Sequence, residues 1–338
     1  MSSNLDRSSL AAVIPLARAQ REPGRCRAIT SSGRPCRNRP GPSGFCRAHQ
    51  PPTLGEHIGP FEAATVRDVI RFLSRRVTGQ YDVDLFGFDP ELTETVFLPM
   101  ARALYKYYWR AEWHGLENVP SEGAALLVSN HAGTFPLDAL VMKFGILGEH
   151  PARRHVRLLA ADLAFRVPVV SSVARKMGST LACEEDAGRL LQQGELVGVM
   201  PEGYKGVGKG FRNRYRLQRF GRGGFVEIAL REQVPIVPVA IVGSEETFPM
   251  LADIKPLARL FGLPYFPVTP TFPWLGPLGL IPLPSKWTVE FGPPILTDVY
   301  GKNAWQDAML LFELTDRIRD TIQQMLYQNL MTRRSPFL

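Results

Sequence analysis

The sequence predicts an α/β domain in which a layered sheet is flanked by helices, preceded by amphipathic helices and a small cysteine-rich segment. Three observations carry this expectation. Short aliphatic runs recur from residue 116 onward, helical stretches separate them, and 45% hydrophobic content over 338 residues suffices for a sizeable core. A chain of this length holds one large domain, or a medium one with appendages.

At the N-terminus, residues 1–22 read as disordered. Residues 1–50 hold nine arginines, no lysine and two acids, Asp6 and Glu22. That stretch therefore carries +7 of the +8 net charge. LAAVIPLA is too short and too interrupted by proline for a signal peptide. Three of the four cysteines lie in the same stretch, and so few cysteines in so long a chain build no disulfide scaffold. A reducing, cytoplasmic setting is expected.

Residues 23–50 contain Cys26, Cys36, Cys46 and His49, spaced C-x9-C-x9-C-x2-H. Three thiolates and an imidazole form a complete tetrahedral zinc set. With almost no apolar residues, only metal ligation, worth roughly 10–16 kcal/mol in zinc-finger peptides, could fold this segment. The competing reading is an arginine-rich tail with incidental cysteines. The spacing is similar to the three-cysteine, one-histidine knuckles of the plant WRC type. A linker, QPPTLGEHIGP, follows over 50–60.

Residues 61–115 form an expected helical region. Val66, Val69, Ile70 and Leu73 share one face of a first helix, with arginines opposite. A second helix over 91–113 is expected to kink at Pro99. Core packing explains both stripes, and their basic, aromatic fringe also suits an anionic bilayer surface.

The main domain is expected over 116–335. AALLVSN, HVRLLA, ELVGVM, PIVPVAIVG and WTVEFG are its strand candidates. Residues 260–285 carry no charge and are long enough to cross a bilayer. Seven prolines rule out a continuous helix there, and unpaired backbone cannot face lipid tails. This arm either packs over the domain or presents its aromatics to a membrane interface. A last helix over about 304–332 carries Met309, Phe312, Ile318, Ile322, Met325 and Leu326.

Two places carry chemistry. AALLVSN ends at Asn130-His131, and Asp138 follows at the start of a helix. A carboxylate there can fix the tautomer of the imidazole and leave its other nitrogen to take a proton. The plainer alternative is a helix cap and a satisfied histidine. The second place, VMPEGYKGVGKGF, contains G-x-x-x-x-G-K from Gly203 to Lys209. A nucleotide loop needs Ser or Thr next, to hold magnesium, and Gly210 stands there instead.

Together these pieces resemble the glycerolipid acyltransferase family of the lysophosphatidic-acid type, over about 116–300. The family's N-H-x-x-x-x-D motif corresponds to Asn130, His131 and Asp138, with two extra residues between the last pair. Its F-P-E-G-T-R block corresponds to Met200–Lys205, and its V-P-I-V-P-V strand stands unchanged as Val234–Val239. The resemblance implies catalysis by His131 and Asp138. It implies substrate binding by Asn130, Gly133, Glu202, Gly203 and Lys205, with Lys209 and Arg212 meeting anionic groups. The implied partners are acyl-CoA or acyl-carrier protein, a lysophospholipid or other lipid alcohol, and the inner face of the membrane. No catalytic cofactor is implied. Lysine in place of arginine at 205 loses a bidentate fork, so the acceptor can be phosphorylated or neutral. A non-enzymatic nucleic-acid or protein-binding module, acting through the basic knuckle, is the competing function. Nucleic acid is the less expected partner, because only Phe45 in the knuckle could stack on a base.

Overall fold

The computed structural model describes residues 36–39, 46 and 66–337. Helix α1 (Val66–Thr78) comes first. A helical stretch over 90–108 follows, in which two π turns interrupt the α geometry. The first, Thr93–Phe97, passes the Thr93 carbonyl to the Leu98 N–H, just ahead of the proline that cannot donate. This helix ends before the expected residue 113. Residues 112–114 instead form β1 (Glu112–His114), so the sheet begins ahead of 116.

The remaining strands are β2 (Ala125–Ser129), β3 (Val156–Ala160), β4 (Thr180–Leu181), β5 (Leu196–Val199), β6 (Ile236–Val242), the short β7 (Ala252–Asp253) and β8 (Pro267–Val268), and β9 (Thr288–Phe291). Seven of them form one sheet in the order β1-β9-β6-β2-β5-β3-β4. All neighbours are parallel except β6 and β9. All five sequence-expected strands are present. β7 and β8 form a separate antiparallel pair at the root of the proline-rich arm.

Alternate residues of each strand face opposite layers. Helix α3 (Pro168–Lys176) lies between β3 and β4, and Leu126 and Val128 of β2 face α4 (Glu184–Gln192), α5 (Gly224–Arg231) and α6 (Ala308–Thr332). Ala125 and Leu127 face α2 (Leu137–Glu149) and the 90–108 helix. Both faces of the sheet are covered, which is why these strands read as nearly unbroken apolar runs. On α6 the buried stripe is Leu314, Ile318, Ile322, Met325 and Leu326. Met309 and Phe312 lie in the exposed first turns instead.

The 90–108 helix belongs to the core of the main domain. Tyr105 and Trp109 are buried, and the Trp109 ring stacks on Trp287 with centroids 5.0 Å apart. Trp109 Nε1 donates to Leu283 O at 3.2 Å, and Tyr108 OH donates to Pro282 O at 2.6 Å. The end of the proline-rich arm is thereby tied to this helix. No helix among the described residues is long and apolar enough to cross a membrane.

Trp287 is fully buried at this junction of helix, sheet and arm. Trp287→Ala should cost about 3–5 kcal/mol of stability, read from the shift of the urea unfolding midpoint. A cost below about 1 kcal/mol would mean that the junction does not hold these parts together.

Candidate active site

The loops after β2, β5 and β6 meet at the C-terminal edge of the sheet, where open α/β folds place their ligands. β2 is the central strand, and its ladder with β6 ends at Ser129 and Val239. Asn130 continues that ladder with its side chain. Its Nδ2 donates to Ile241 O at 3.0 Å, and Ile241 N donates to its Oδ1 at 2.8 Å. His131 therefore leaves the sheet from a clamped position.

Asp138, in the first turn of α2, has no exposed surface. Its Oδ2 lies 2.8 Å from His131 Nδ1 and accepts from Ala132 N at 2.7 Å. Its Oδ1 accepts from Ala139 N at 2.8 Å. The six residues between His131 and Asp138 close by two successive left-handed residues, Gly133 at φ 95° and Thr134 at φ 68°. At Gly133 a β-carbon would stand 2.4 Å from Ser244 O. Thr134, a β-branched residue in an unfavourable region, is held by bonds to the loops around it. Its N–H donates to Val207 O, its hydroxyl donates to Phe248 O, and its carbonyl accepts from Tyr265 OH of the proline-rich arm.

The PEG segment reaches His131 from below. Glu202 Oε1 accepts from His131 N at 2.9 Å, and Oε2 accepts from Gln218 N at 2.6 Å. A β-carbon on Gly206 would come 2.5 Å from His131 O, so only glycine lets this turn lie so close. Gly203, at φ 52°, begins the turn.

His131 retains 14% exposure of its side chain, and its Nε2 makes no hydrogen bond to the described residues. Burial alone would push its pKa down. The Asp138 carboxylate at bonding distance, together with Glu202, outweighs burial and holds the pKa above the ordinary imidazole value. Burial likewise raises Glu202, partly offset by Lys209 and by the two N–H donors.

Three residues expected to meet substrate are used differently. Both polar ends of the Asn130 side chain are taken by Ile241. Glu202 is spent on backbone N–H groups. Lys209 is buried, with its ammonium 3.0 Å from Glu245 Oε1 and 3.8 Å from Glu202 Oε2, and it donates to Arg216 O. It neutralises protein carboxylates that burial would otherwise leave exposed to each other. Lys205 is exposed beside the turn. Arg212 lines a separate cavity to which none of His131, Asp138 and Glu202 contributes. Glu245, Glu246 and Tyr215 are the participants that sequence reading missed. Their only signal was GSEETF, two acids directly after the most apolar strand.

Of the zinc set, Cys26 and His49 lie outside the described residues. Cys36 and Cys46 are both buried, with their sulfurs 3.9 Å apart. Asn38 Nδ2 donates to Cys46 Sγ at 3.6 Å.

Residues 110–242 match the acyltransferase family model. An uncharacterized protein of Mycobacterium tuberculosis is 56% identical over 275 residues, which cover 81% of this chain and 77% of that one. An uncharacterized protein of Mycobacterium leprae is also 56% identical, over 81% of this chain and 75% of its own. A Gallus gallus protein described as a DGAT1/2-independent enzyme synthesizing storage lipids is 27% identical, over 55% of this chain and 52% of its own. The crystal structure of the 1-acyl-sn-glycerophosphate acyltransferase PlsC from Thermotoga maritima aligns with a TM-score of 0.49 and 17% identity. That alignment covers 78% of this chain and 90% of that one.

Asp138→Asn keeps the shape of the side chain and removes the charge that favours protonated His131. In NMR titrations of histidine-labelled protein, His131 should titrate above the ordinary imidazole range in the parent chain and clearly lower in the variant. An unchanged midpoint would show that Asp138 does not set the charge of the ring.

Proposed function

We propose that this chain, whose residues 110–242 match the acyltransferase family model, moves a fatty acyl group from a thioester, acyl-CoA or acyl-carrier protein, to the hydroxyl of a lipid acceptor. The observation that carries the reading is the His131–Asp138 pair, with one ring nitrogen fixed and the other free. His131 Nε2 takes the proton of the acceptor hydroxyl as its oxygen attacks the thioester carbonyl. Asp138 holds the Nδ1–H and steadies the imidazolium that forms. When the tetrahedral intermediate collapses, the C–S bond breaks and the departing thiolate takes the proton from the ring. Because the neutral ring is the base, its raised pKa means that activity grows as pH climbs through that value.

The acceptor is a lysophospholipid or a related lipid alcohol. Lys205 supplies a point charge that suits an acceptor phosphate without requiring one. The storage-lipid synthesis in the description of the Gallus gallus relative is consistent with a neutral acceptor.

Such acceptors reside in membranes, and we assign the protein to the cytoplasmic face of one, bound peripherally. Supporting this, the proline-rich arm leaves Phe261, Trp274, Leu275, Leu278 and Ile281 exposed. Trp274 is 72% exposed. An irregular apolar arm rich in aromatics suits the headgroup boundary, where its backbone stays hydrated. Tyr265 links this arm to the loop that carries His131.

We also propose a structural zinc at Cys26, Cys36, Cys46 and His49. Two sulfurs on one tetrahedral zinc at about 2.3 Å each stand roughly 3.8 Å apart, close to the separation of Cys36 and Cys46. An amide donating to a ligating sulfur is a familiar outer-sphere contact, and Asn38 makes one.

Purified protein given labelled acyl thioester and membrane extract should yield a labelled lipid, identified by mass spectrometry. His131→Ala should cut the rate by about 10²–10⁴-fold without unfolding the chain. Full activity in that variant would defeat the mechanism. Metal analysis of protein purified without chelator should find stoichiometric zinc that Cys36→Ser removes. A metal-free parent chain would defeat the knuckle.

A further inference from the structure

A cavity of about 450 Å³ lies between residues 212–216 and the C-terminal half of α6. Four arginines line it, Arg212, Arg214, Arg216 and Arg333, together with Glu246 and the ring of Tyr327. Its one acid is already matched. Glu246 Oε1 lies 3.2 Å from Arg333 Nη1, and Glu246 Oε2 accepts from the buried Tyr215 hydroxyl. Arg212, Arg214 and Arg216 make no ion pair with any described residue. Arg214 instead lies over the Phe211 ring, its guanidinium carbon 4.6 Å from the centroid.

These three guanidiniums are not a loose basic tail. The sequence R-N-R-Y-R is pinned at Tyr215, a non-glycine residue held at φ 61° and 5% exposed. Its N–H donates to Glu245 Oε1, and its hydroxyl accepts from Gly243 N at 3.1 Å. Arg333 is a fixed wall with only 8% of its side chain exposed, and its Nε is buried without a hydrogen-bond partner among the described residues. Four arginines thus share one cavity with a single carboxylate, which is already paired with Arg333, and the net positive charge left over favours an anion.

We propose that this cavity binds a phosphate-bearing ligand. Guanidinium forks match phosphate oxygens in pairs, and three of them can surround one phosphate group or bridge two. The volume exceeds that of a lone phosphate and leaves room for an attached group against Tyr327. Two sources carry this chemistry: the nucleotide portion of a soluble thioester, and the head group of an anionic phospholipid. The strip is also bonded to the carboxylates behind His131, through Lys209 donating to Arg216 O and Gln218 N donating to Glu202. An occupant would therefore bear on the segment that positions the imidazole.

The test uses the full chain in low-salt buffer and measures binding without turnover. Calorimetry with adenosine 3′,5′-bisphosphate probes the nucleotide source. Sedimentation with phosphatidylcholine vesicles, with and without phosphatidylglycerol, probes the head-group source. The parent chain should bind at least one of these probes, more weakly as salt rises. R212Q/R216Q should weaken that binding at least tenfold, and R214Q alone should weaken it measurably. These side chains are exposed, so the variants should keep the thermal unfolding profile of the parent. Binding of the bisphosphate lost in the variants assigns the nucleotide source. Binding of phosphatidylglycerol vesicles lost in the variants, with no bisphosphate binding, assigns the head group. If the parent binds neither probe, or the variants bind as the parent does, the proposal is overturned. A chain inactive in acyl transfer can still pass this test and an active one can fail it, so the two readings stand or fall separately.

Discussion

Asp138 lies at the start of α2 with its carboxylate entirely out of water, and the loop between β2 and α2 takes its shape from that fact. A buried carboxylate must find donors, and the nearest are the Ala132 and Ala139 N–H groups and the His131 ring. Meeting all three forces the chain to turn back within six residues, which Gly133 and Thr134 do by adopting left-handed backbone. The ring orientation is thus a consequence of satisfying one acid. Its tautomer follows too, because Nδ1 must carry the proton that faces the carboxylate.

Behind this loop sits a second layer of buried charge. Glu202, Lys209 and Glu245 are nearly inaccessible, and each bonds to backbone: Glu202 to His131, Lys209 to Arg216 and Glu245 to Tyr215. Replacing such a cluster by apolar residues could leave stability unchanged. Its retention makes more sense as a means of register. Glu202 ties the turn after β5 to the His131 backbone, and Glu245 ties the end of β6 to Tyr215. Three loops from three strands are thereby locked together around His131.

Much of the fold was legible in the sequence, because strands buried on both faces produce apolar runs that stand out. The five strand candidates all lie in the central sheet, and α6 ends where its periodicity fails. β1 and β4 were not legible. They have three and two residues, too few for a pattern, and they are strands only because a neighbour offers its edge. The π turns around Pro99 were hidden for a related reason, since proline signals a break without saying how the helix absorbs it. In the site, the nearness of His131 to Asp138 could be expected from strand exit and helix start. The roles of Asn130, Glu202 and Lys209 could not, because a polar residue looks the same in sequence whether it faces a ligand or the backbone of a distant loop.

The proline-rich arm connects the exposed surface to the site. Proline denies the arm regular structure, so its backbone has to be satisfied piecemeal, by Thr247, Trp109 and Tyr108 at one end and by β7 at the other. Those anchors spend its polar groups on the protein and leave its large apolar side chains outward. Tyr265 then donates to the carbonyl of Thr134, the strained residue beside His131. The arm therefore has a direct bond to the left-handed pair that aims the imidazole. The backbone there is costly to hold, and it is the part of the loop whose geometry depends on partners outside its own strand and helix.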